Sequence, residues 1–279
     1  MFCNIPLIFL RALKMRIKIK IKTSKLPQLY NHRFLALIKE AIKLGDPSYK
    51  DELYAKKNPR PFCFSIALPP KKEMKVEKLQ IDKNFTIDAN VFYFKDIYPL
   101  LTITSCDFAF LMNLHNGLIK LKKFRFSSDE DMLVNGEKIE LELESSIAIN
   151  RPEIKNNEII FKTLSPILIQ DSNDKPFLPN DEGFNDLFNE IHNRIFLNKN
   201  IKGEALYEKL EFIDINTKKQ VVKHTISEFR EKTKKPFMYL NCFIGTFKVK
   251  GHPKDLELLY NMGIGNRTSQ GFGMVEVLT

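Results

Sequence analysis

The stretch that decides the fold is Met262-Gly-Ile-Gly-Asn-Arg-Thr-Ser-Gln-Gly-Phe-Gly-Met-Val-Glu-Val-Leu278. A polar, cationic centre is surrounded there by four glycines, Gly263, Gly265, Gly271 and Gly273. Glycine adopts positive φ and lets backbone amides approach a phosphate closely. The hydrophobic run from Met274 to Leu278 predicts a short strand. The stretch therefore predicts a glycine-rich loop that leads into a strand.

The order of elements around the loop excludes two common nucleotide-binding motifs. A P-loop and a dinucleotide-binding loop both lie between a strand and the helix that follows it. Here Lys254-Asp-Leu-Glu-Leu-Leu-Tyr260 predicts a short helix before the loop, and the strand follows the loop. The glycine loop must therefore act in a different arrangement from either motif.

Upstream of the loop, the sequence predicts the same order of elements twice. Strict alternation over 16–22 places Ile17, Ile19 and Ile21 on one face of a strand and cations on the other. Helices are predicted over 32–44, 107–121 and 184–195, and the segment 47–60 is predicted as a loop. Strands are predicted at 62–68, 85–87, 91–94, 100–104, 124–126, 138–149, 159–169, 210–215 and 220–226 (as a hairpin), 237–249 and 274–278. The order β-α-β-β-α-β indicates an α+β chain of two tandem ferredoxin-like, RRM-like modules.

The domain boundary is expected in the polar stretch Asn150–Asn157. This gives an N-terminal domain over 15–150 and a C-terminal domain with the glycine loop over 151–279. Residues 1–14 contain the apolar run Ile5 to Leu10, but no cation precedes it and no small-residue cleavage site follows, which argues against a secretory signal. We interpret 1–14 as a loose extension or a mis-assigned start, with translation beginning at Met15.

The amino-acid composition limits which classes of partner and which kinds of site we expect. The 279 residues include 44 Lys+Arg and 34 Asp+Glu, a net charge of +10 that favours a polyanionic partner. The same excess also occurs in lysine-rich proteins from A/T-rich genomes. The four cysteines form no CxxC pair, which favours a reduced, cytoplasmic protein with buried thiols. The five histidines show no ligand spacing, so we expect no metal and no cofactor.

The glycine loop, read as G-x-G-x-x-x-x-x-G-F-G before a hydrophobic strand, resembles the signature of a known family. These are the CRISPR-associated endoribonucleases that process precursor CRISPR RNA in repeat-associated systems. The resemblance continues at Gly245-Thr-Phe-Lys-Val-Lys-Gly251, at Leu164-Ser-Pro-Ile-Leu-Ile169 with a helix beginning near Glu182, and at Met15–Ile21 with Tyr30-Asn-His32. It covers the chain from about Met15 onward and implies two ferredoxin-like modules.

The resemblance implies metal-independent RNA cleavage. In that family a ribose 2′-hydroxyl attacks the adjacent phosphate and leaves a 2′,3′-cyclic phosphate and a 5′-hydroxyl. The reaction needs a base, an acid and a cation that stabilises the phosphorane charge. Many members carry a histidine for this chemistry after the first helix.

This sequence departs from the family at that position. Alignment by resemblance places Tyr54 at the histidine, Arg60 at the usual lysine, and Lys39 where some members have a tyrosine in the first helix. His32 is an alternative base, although its recurrence in members that keep the later histidine favours a structural role. Tyr54 in a basic loop could equally be a residue that packs locally.

A second set of residues is predicted to bind RNA. The set consists of cations and loop residues, and we expect it to line a groove between the modules. Its members are Lys18, Lys20, Lys56, Lys57, Lys234, Lys248, Gly263, Gly265, Arg267, Thr268, Ser269, Gly271 and Gly273. Each cationic group taken singly is also typical of a solvated face.

Two functions remain open at this point. One is an endoribonuclease that excises guide RNAs from a repeat transcript. The other is a repeat-RNA-binding subunit of a CRISPR effector complex that cleaves weakly or not at all. The partners expected by resemblance are CRISPR repeat RNA, effector-complex subunits and a second copy of the chain.

Overall fold

The computed structural model describes residues 15–278, so the interpretation of 1–14 lies outside the described residues. Strands and helices alternate through the first half of the described chain. They are β1 (Met15–Lys22), β2 (Lys25–Pro27), α1 (Asn31–Gly45), α2 (Pro47–Tyr54), β3 (Phe62–Ala67), β4 (Glu73–Asp82), β5 (Phe85–Tyr93), β6 (Leu100–Ser105), α3 (Phe108–Lys120), β7 (Lys123–Arg125), β8 (Leu133–Val134) and β9 (Glu140–Asn150).

The main sheet of this half has the strand order β3-β6-β1-β9-β7. Ile17, Ile19 and Ile21 of β1 are buried against α1 and α3, as their alternation predicts. Without β7 the order is that of a ferredoxin-like sheet, and the predicted fold class is confirmed. The opposite face of β1 differs from the prediction of a solvated cationic face, because Arg16 is buried.

The segment that follows α1 is helical, so its prediction as a loop is wrong. Asp46 begins α2 by accepting hydrogen bonds from the backbone N–H groups of Ser48 (2.9 Å) and Tyr49 (3.1 Å). Pro47 occupies the first turn, where its missing N–H costs nothing. The Gly45-Asp46-Pro47 sequence ends one helix and begins the next.

A second small sheet has the order β2-β5-β4-β8, and its two long strands, β4 and β5, lie in the chain between β3 and β6. The sequence predictions contain no strand between 68 and 85, so they missed β4, and they divided β5 into two pieces. Within β4, Leu79 and Ile81 are buried while Met74 and Val76 are exposed. The usual pattern of apolar residues facing inward fails over the first half of this strand, and periodicity could not detect it.

The second half repeats the ferredoxin-like order, with the sheet β11-β12-β10-β13. Helices α4 and α6 pack on one face of it, through residues such as Phe188 and Leu256. The elements are β10 (Glu158–Thr163), α4 (Phe184–Phe196), β11 (Glu211–His224), α5 (Ser227–Thr233), β12 (Met238–Lys250), α6 (Pro253–Met262), a 3-10 turn at Thr268–Gln270 and β13 (Val275–Leu278).

Two predictions for this half are wrong. The proposed hairpin over 210–226 is the single strand β11, whose register with β12 shifts between Asp214 and Asn216. The polar residues that suggested a turn lie at this bulge. Strand β10 ends at Thr163 rather than Ile169; beyond it, Ile167 forms an isolated bridge with Phe243.

The two halves have separate hydrophobic cores, which divide between Leu141 and Ile154. Buried arginines join them. Arg16 Nη2 donates to the carbonyl oxygens of Val275 (2.6 Å) and Tyr260 (3.3 Å), and Arg151 Nη1 donates to Asn261 Oδ1 and to the carbonyl oxygen of Ser105 (3.3 Å). This seam holds the glycine loop against the first half. None of the helices between residues 15 and 278 is long and apolar enough to cross a membrane.

Candidate active site

Three of the four predicted catalytic residues come together around the ring of Tyr54. Lys39 Nζ lies 4.6 Å from the ring centroid and Arg60 Cζ lies 4.3 Å from it. We call Lys39, Tyr54 and Arg60 the Tyr54 cluster. Cations over an aromatic face are held by about 0.5–2 kcal/mol, depending on solvent exposure. Residues from α1, from the end of α2 and from the approach to β3 therefore meet at one point.

Helix α2 positions Tyr54, and Tyr49 fixes that helix. The Tyr49 hydroxyl donates a 2.6 Å hydrogen bond to Asp107, the residue that caps α3. A hydrogen bond to a charged group contributes about 1.5–3 kcal/mol. Tyr49 thus holds α2 against the rest of the module and sets where its last residue lies.

The hydroxyl of Tyr54 and the Nε of Arg60 are buried, and neither has a hydrogen-bond partner among the described residues. Buried polar groups are nearly always paired in native structures. An RNA phosphate or ribose at this point would supply the missing hydrogen-bond partners.

Burial controls the protonation of the cluster. It raises the pKa of Tyr54 to about 12, against the opposing effect of Arg60. Burial also lowers the pKa of Lys39, and the neighbouring charges of Arg60 and Lys50 lower it further. Tyr54 therefore remains a neutral phenol that can donate a proton, while Lys39 is shifted toward the neutral amine that can accept one.

His32, the fourth candidate, lies apart from the cluster. It precedes Lys39 by seven residues on α1, about 10 Å along the helix axis. Burial lowers the pKa of His32 to about 3, and the charges of Arg33, His224 and Arg230 add to the effect. Its Nε2 is buried without a partner among the described residues. His32 is thus a neutral imidazole directed toward the second half of the chain.

The glycine loop is packed inside the protein, which gives its glycines a structural reason in addition to the expected one. Gly265 has φ +83°, and a Cβ there would lie 2.4 Å from the carbonyl oxygen of Leu168. The loop needs this glycine because its own chain passes so close. The sequence prediction attributed the glycines to the approach of a phosphate.

His192 fixes the loop, a role that sequence reasoning missed. Its Nδ1 donates to the carbonyl oxygen of Phe188 (2.7 Å), and its Nε2 accepts from the backbone N–H of Gly265 (3.0 Å). Burial lowers the pKa of His192 to about 4, which keeps the ring neutral as the second bond requires. The sequence signal is a histidine one turn after Phe188 on an apolar helix face, a pattern that also fits simple packing.

The three residues at the polar centre of the loop differ in how much of each side chain is exposed. Arg267 has φ +58°, its Nη2 lies 3.8 Å from Asp174, and its buried Nε has no partner among the described residues. Thr268 and Ser269 are each only 7% exposed, which leaves little of either side chain for a ligand. Arg267 is therefore the best-placed group of the three for contact with RNA.

The predicted cations do not line a single groove. Lys56 lines a cleft of about 450 Å³ beside the Tyr54 cluster, together with Asn198 and Lys199, which the sequence analysis did not single out. Lys234 lines another cleft with Asp82 and Arg230, and Lys248 lines a third on the outer face of the second sheet.

Several predicted cations are already ion-paired. Their partners are surface carboxylates: Lys20 with Glu144 (2.7 Å), Lys57 with Glu228 (3.4 Å) and Lys248 with Glu158 (3.3 Å). Lys18 is half-buried. Exposed pairs of this kind contribute about 0–1 kcal/mol, so they could exchange their carboxylate for a phosphate at little cost.

Comparison with known proteins relates this fold to one family. Residues 149–277 match the family model "CRISPR associated protein Cas6, C-terminal". The chain is 26% identical over 269 residues to "CRISPR-associated endoribonuclease Cas6 1" of Methanocaldococcus jannaschii, covering 94% of this chain and 92% of that one.

Solved structures show the same fold over almost all of the chain. One is the product of a Cas6-related gene from Pyrococcus furiosus, with a TM-score of 0.71, 22% identity and coverage of 95% of this chain and 98% of that one. Another is described as a RAMP protein binding different RNA substrates, with a TM-score of 0.71, 19% identity and coverage of 95% and 100%. The glycine loop lies within the region that the family model matches, and the relatives extend the likeness to the first module. The chain is therefore similar to Cas6 proteins over most of its length, and residues 149–277 match the C-terminal model of that family.

Proposed function

We propose that this protein is an endoribonuclease that cleaves CRISPR repeat RNA by metal-independent attack of a 2′-hydroxyl. The observation that carries the proposal is the Tyr54 cluster, in which a proton acceptor and a permanent cation lie 4.6 Å and 4.3 Å from the ring centroid of a proton donor. The M. jannaschii relative is described as an endoribonuclease, which supports the same activity.

The protonation states of the cluster suggest a role for each member. The lowered pKa of Lys39 increases its fraction of neutral amine, and that amine accepts the proton of the attacking 2′-hydroxyl. The O2′–P bond forms and the P–O5′ bond breaks, and the Tyr54 phenol donates its proton to the departing 5′-oxygen. Proton return from the Lys39 ammonium to the Tyr54 phenolate restores both groups. Arg60 stabilises the phosphorane charge throughout.

The proposal also covers how the RNA and other partners are bound. The RNA follows the basic residues predicted above and Arg267, with Lys56 and Lys199 beside the scissile phosphate. We propose the division into 15–150 and 151–279 as the functional one, because the hydrophobic cores separate there. Effector-complex subunits and a second copy of this chain are proposed as further partners.

One observation favours the second function, an RNA-binding subunit without efficient cleavage. Tyr54 is buried with a pKa of about 12, so the residue at the position expected for the histidine does not change charge near neutral pH. Lys39 is then the only proton acceptor of the cluster, and its effective pKa decides the rate.

The deciding experiment is single-turnover cleavage of end-labelled repeat RNA by saturating protein in EDTA. We expect site-specific cleavage with a 2′,3′-cyclic phosphate end. A 2′-deoxyribose just upstream of the scissile bond should abolish it, because the nucleophile is then missing. Lys39→Ala should remove cleavage and retain binding, whereas Lys43→Ala, at an exposed position one turn further along α1, should do neither. Binding without cleavage by the wild-type protein would establish the second function instead.

A further inference from the structure

A small, partly open cavity of about 130 Å³ lies between the modules, beside the glycine loop. Asn31 and Phe64 contribute to its wall from the first module, and Gln220 and Phe272 contribute from the second. The volume is several times the roughly 30 Å³ that one water occupies in the liquid. It suits one planar ring and is too small for a base pair.

Amide groups dominate the polar lining of this cavity. Gln28, Asn31 and Gln220 line it, and each side chain has both donors and an acceptor. Gln28 Oε1 accepts a 3.2 Å hydrogen bond from Asn90, which fixes the orientation of its amide. Lys223 is the only charged residue among those that line the cavity. Such a lining suits a neutral ligand with a hydrogen-bonding edge better than it suits a phosphate.

Gly271 brings the two modules close enough to form the cavity. It has φ +89°, and a Cβ there would lie 3.1 Å from Asn31 Cγ and 3.0 Å from Phe64 Cε2. Both contacts are closer than a side chain normally allows. The Asn31 amide and the Phe64 ring can therefore lie against the backbone of the loop only because residue 271 has no side chain.

We propose that this cavity, the base slot, holds one unstacked nucleobase of the bound RNA. Asn31 and Gln220 hydrogen-bond its edge, Phe64 and Phe272 supply apolar walls, and Lys223 contacts an adjacent phosphate. Proteins that read RNA sequence usually do so by holding unstacked bases against aromatic rings and bonding their edges. The inference rests on the proposed RNA binding, and it makes Asn31 and Gln220 determinants of sequence specificity at one position of the repeat.

The test is an abasic scan of the repeat RNA, in which each nucleotide in turn is replaced by an abasic one. Loss of one base–aromatic contact lowers affinity by about 5-fold to 150-fold. We expect one position with a loss in that range for the wild-type protein. In Gln220→Met, which removes the amide and keeps the side-chain length, the penalty at that position should fall at least several-fold. The matched control is Asn216→Leu, which removes an exposed amide from the same strand outside the slot and should leave the scan unchanged.

A fluorescent measurement checks occupancy directly. 2-Aminopurine placed at the sensitive position should change its emission on binding to wild-type protein, and less so on binding to Gln220→Met. If no position couples to Gln220, while salt-dependent binding and cleavage remain normal, the base slot is overturned and the proposed function stands. Wild-type protein that binds no repeat RNA overturns both.

Discussion

The guanidinium of Arg60 lies over the ring of Tyr54 at 4.3 Å, and the hydroxyl of that ring is buried with no hydrogen-bond partner between residues 15 and 278. The ring and the hydroxyl therefore have separable functions. The ring organises the cations Lys39 and Arg60, and the hydroxyl is available to the substrate.

Tyr54→Phe should separate these functions, because it keeps the ring and removes only the hydroxyl. We expect unchanged RNA affinity and a cleavage rate lower by about 10²–10⁴-fold, the usual effect of removing a general acid. Single-turnover rates with labelled repeat RNA provide the measurement. Tyr49→Phe is the matched control: it should lower the free energy of unfolding by about 1–3 kcal/mol through the lost Asp107 bond and change cleavage far less. Normal cleavage by Tyr54→Phe, with loss in His32→Ala, would move the chemistry to the histidine.

Lys50 offers a test of Lys39 as the proton acceptor. The positive charge of Lys50 contributes to the lowered pKa of Lys39, so Lys50→Ala should raise that pKa. The cleavage rate depends on the fraction of neutral amine, and it should therefore rise with pH through a midpoint that lies higher in Lys50→Ala than in wild type. A pH–rate profile between pH 6 and 10 measures this shift. An unchanged midpoint would exclude Lys39 as the group that sets the profile.

The buried histidines predict loss of stability in acid. Burial lowers the pKa of His192 and of His224 to about 4, below their ordinary value near 6.5. Between these values the unfolded chain binds protons that the folded chain does not, so stability is complete above about pH 6.5 and falls as pH drops toward 4. Each histidine contributes a slope of about 1.4 kcal/mol per pH unit. Urea unfolding at several pH values should show a shallower slope for His192→Gln, and none of this change for His115→Gln on an exposed helix face.

Two glycines of similar φ separate backbone strain from steric overlap. Gly183 and Gly265 have φ of +79° and +83°, but a Cβ at Gly183 would meet nothing within 4 Å. Gly183→Ala should cost about 1–2 kcal/mol in unfolding free energy, from the left-handed backbone alone. Gly265→Ala should cost clearly more, because its Cβ overlaps Leu168. Equal costs for the two variants would contradict the packed loop described above.

Arg267→Ala tests the contact of the loop with RNA. The slope of log affinity against log salt should fall in magnitude by about 0.7–1, the value for one phosphate. Fluorescence anisotropy at four salt concentrations suffices for the measurement. Lys123→Ala, whose partner Glu140 lies on a distant strand pair, is the control and should leave the slope unchanged. An unchanged slope in Arg267→Ala would remove this residue from the interface.

The sequence predicted the elements whose patterns are local. The alternation of β1, the apolar stripes of α1 and α4, and the order of elements that gives two ferredoxin-like modules all follow from short-range periodicity. The sequence predictions missed strand β4 because its exposed half carries Met74 and Val76 where polar residues are usual.

The site could be predicted only in part. Resemblance selected Lys39, Tyr54 and Arg60, but their contact depends on α2, which local patterns had suggested to be a loop. The base slot and the role of His192 depend on packing between residues that are 73 to 240 positions apart, for which the sequence gives no local signal.

The hydrogen bonds of Arg16 between the two halves determine which substitutions the contact tolerates. Its strongest hydrogen bond ends on the main-chain oxygen of Val275, and every amino acid supplies that acceptor. Replacement of Val275 by another strand residue therefore leaves the bond intact, whereas replacement of Arg16 removes it. This contact between the two halves therefore tolerates substitution of Val275 but not of Arg16. Such asymmetry offers a physical route by which this chain can change in sequence on one side of the seam while its two halves stay in the same mutual position.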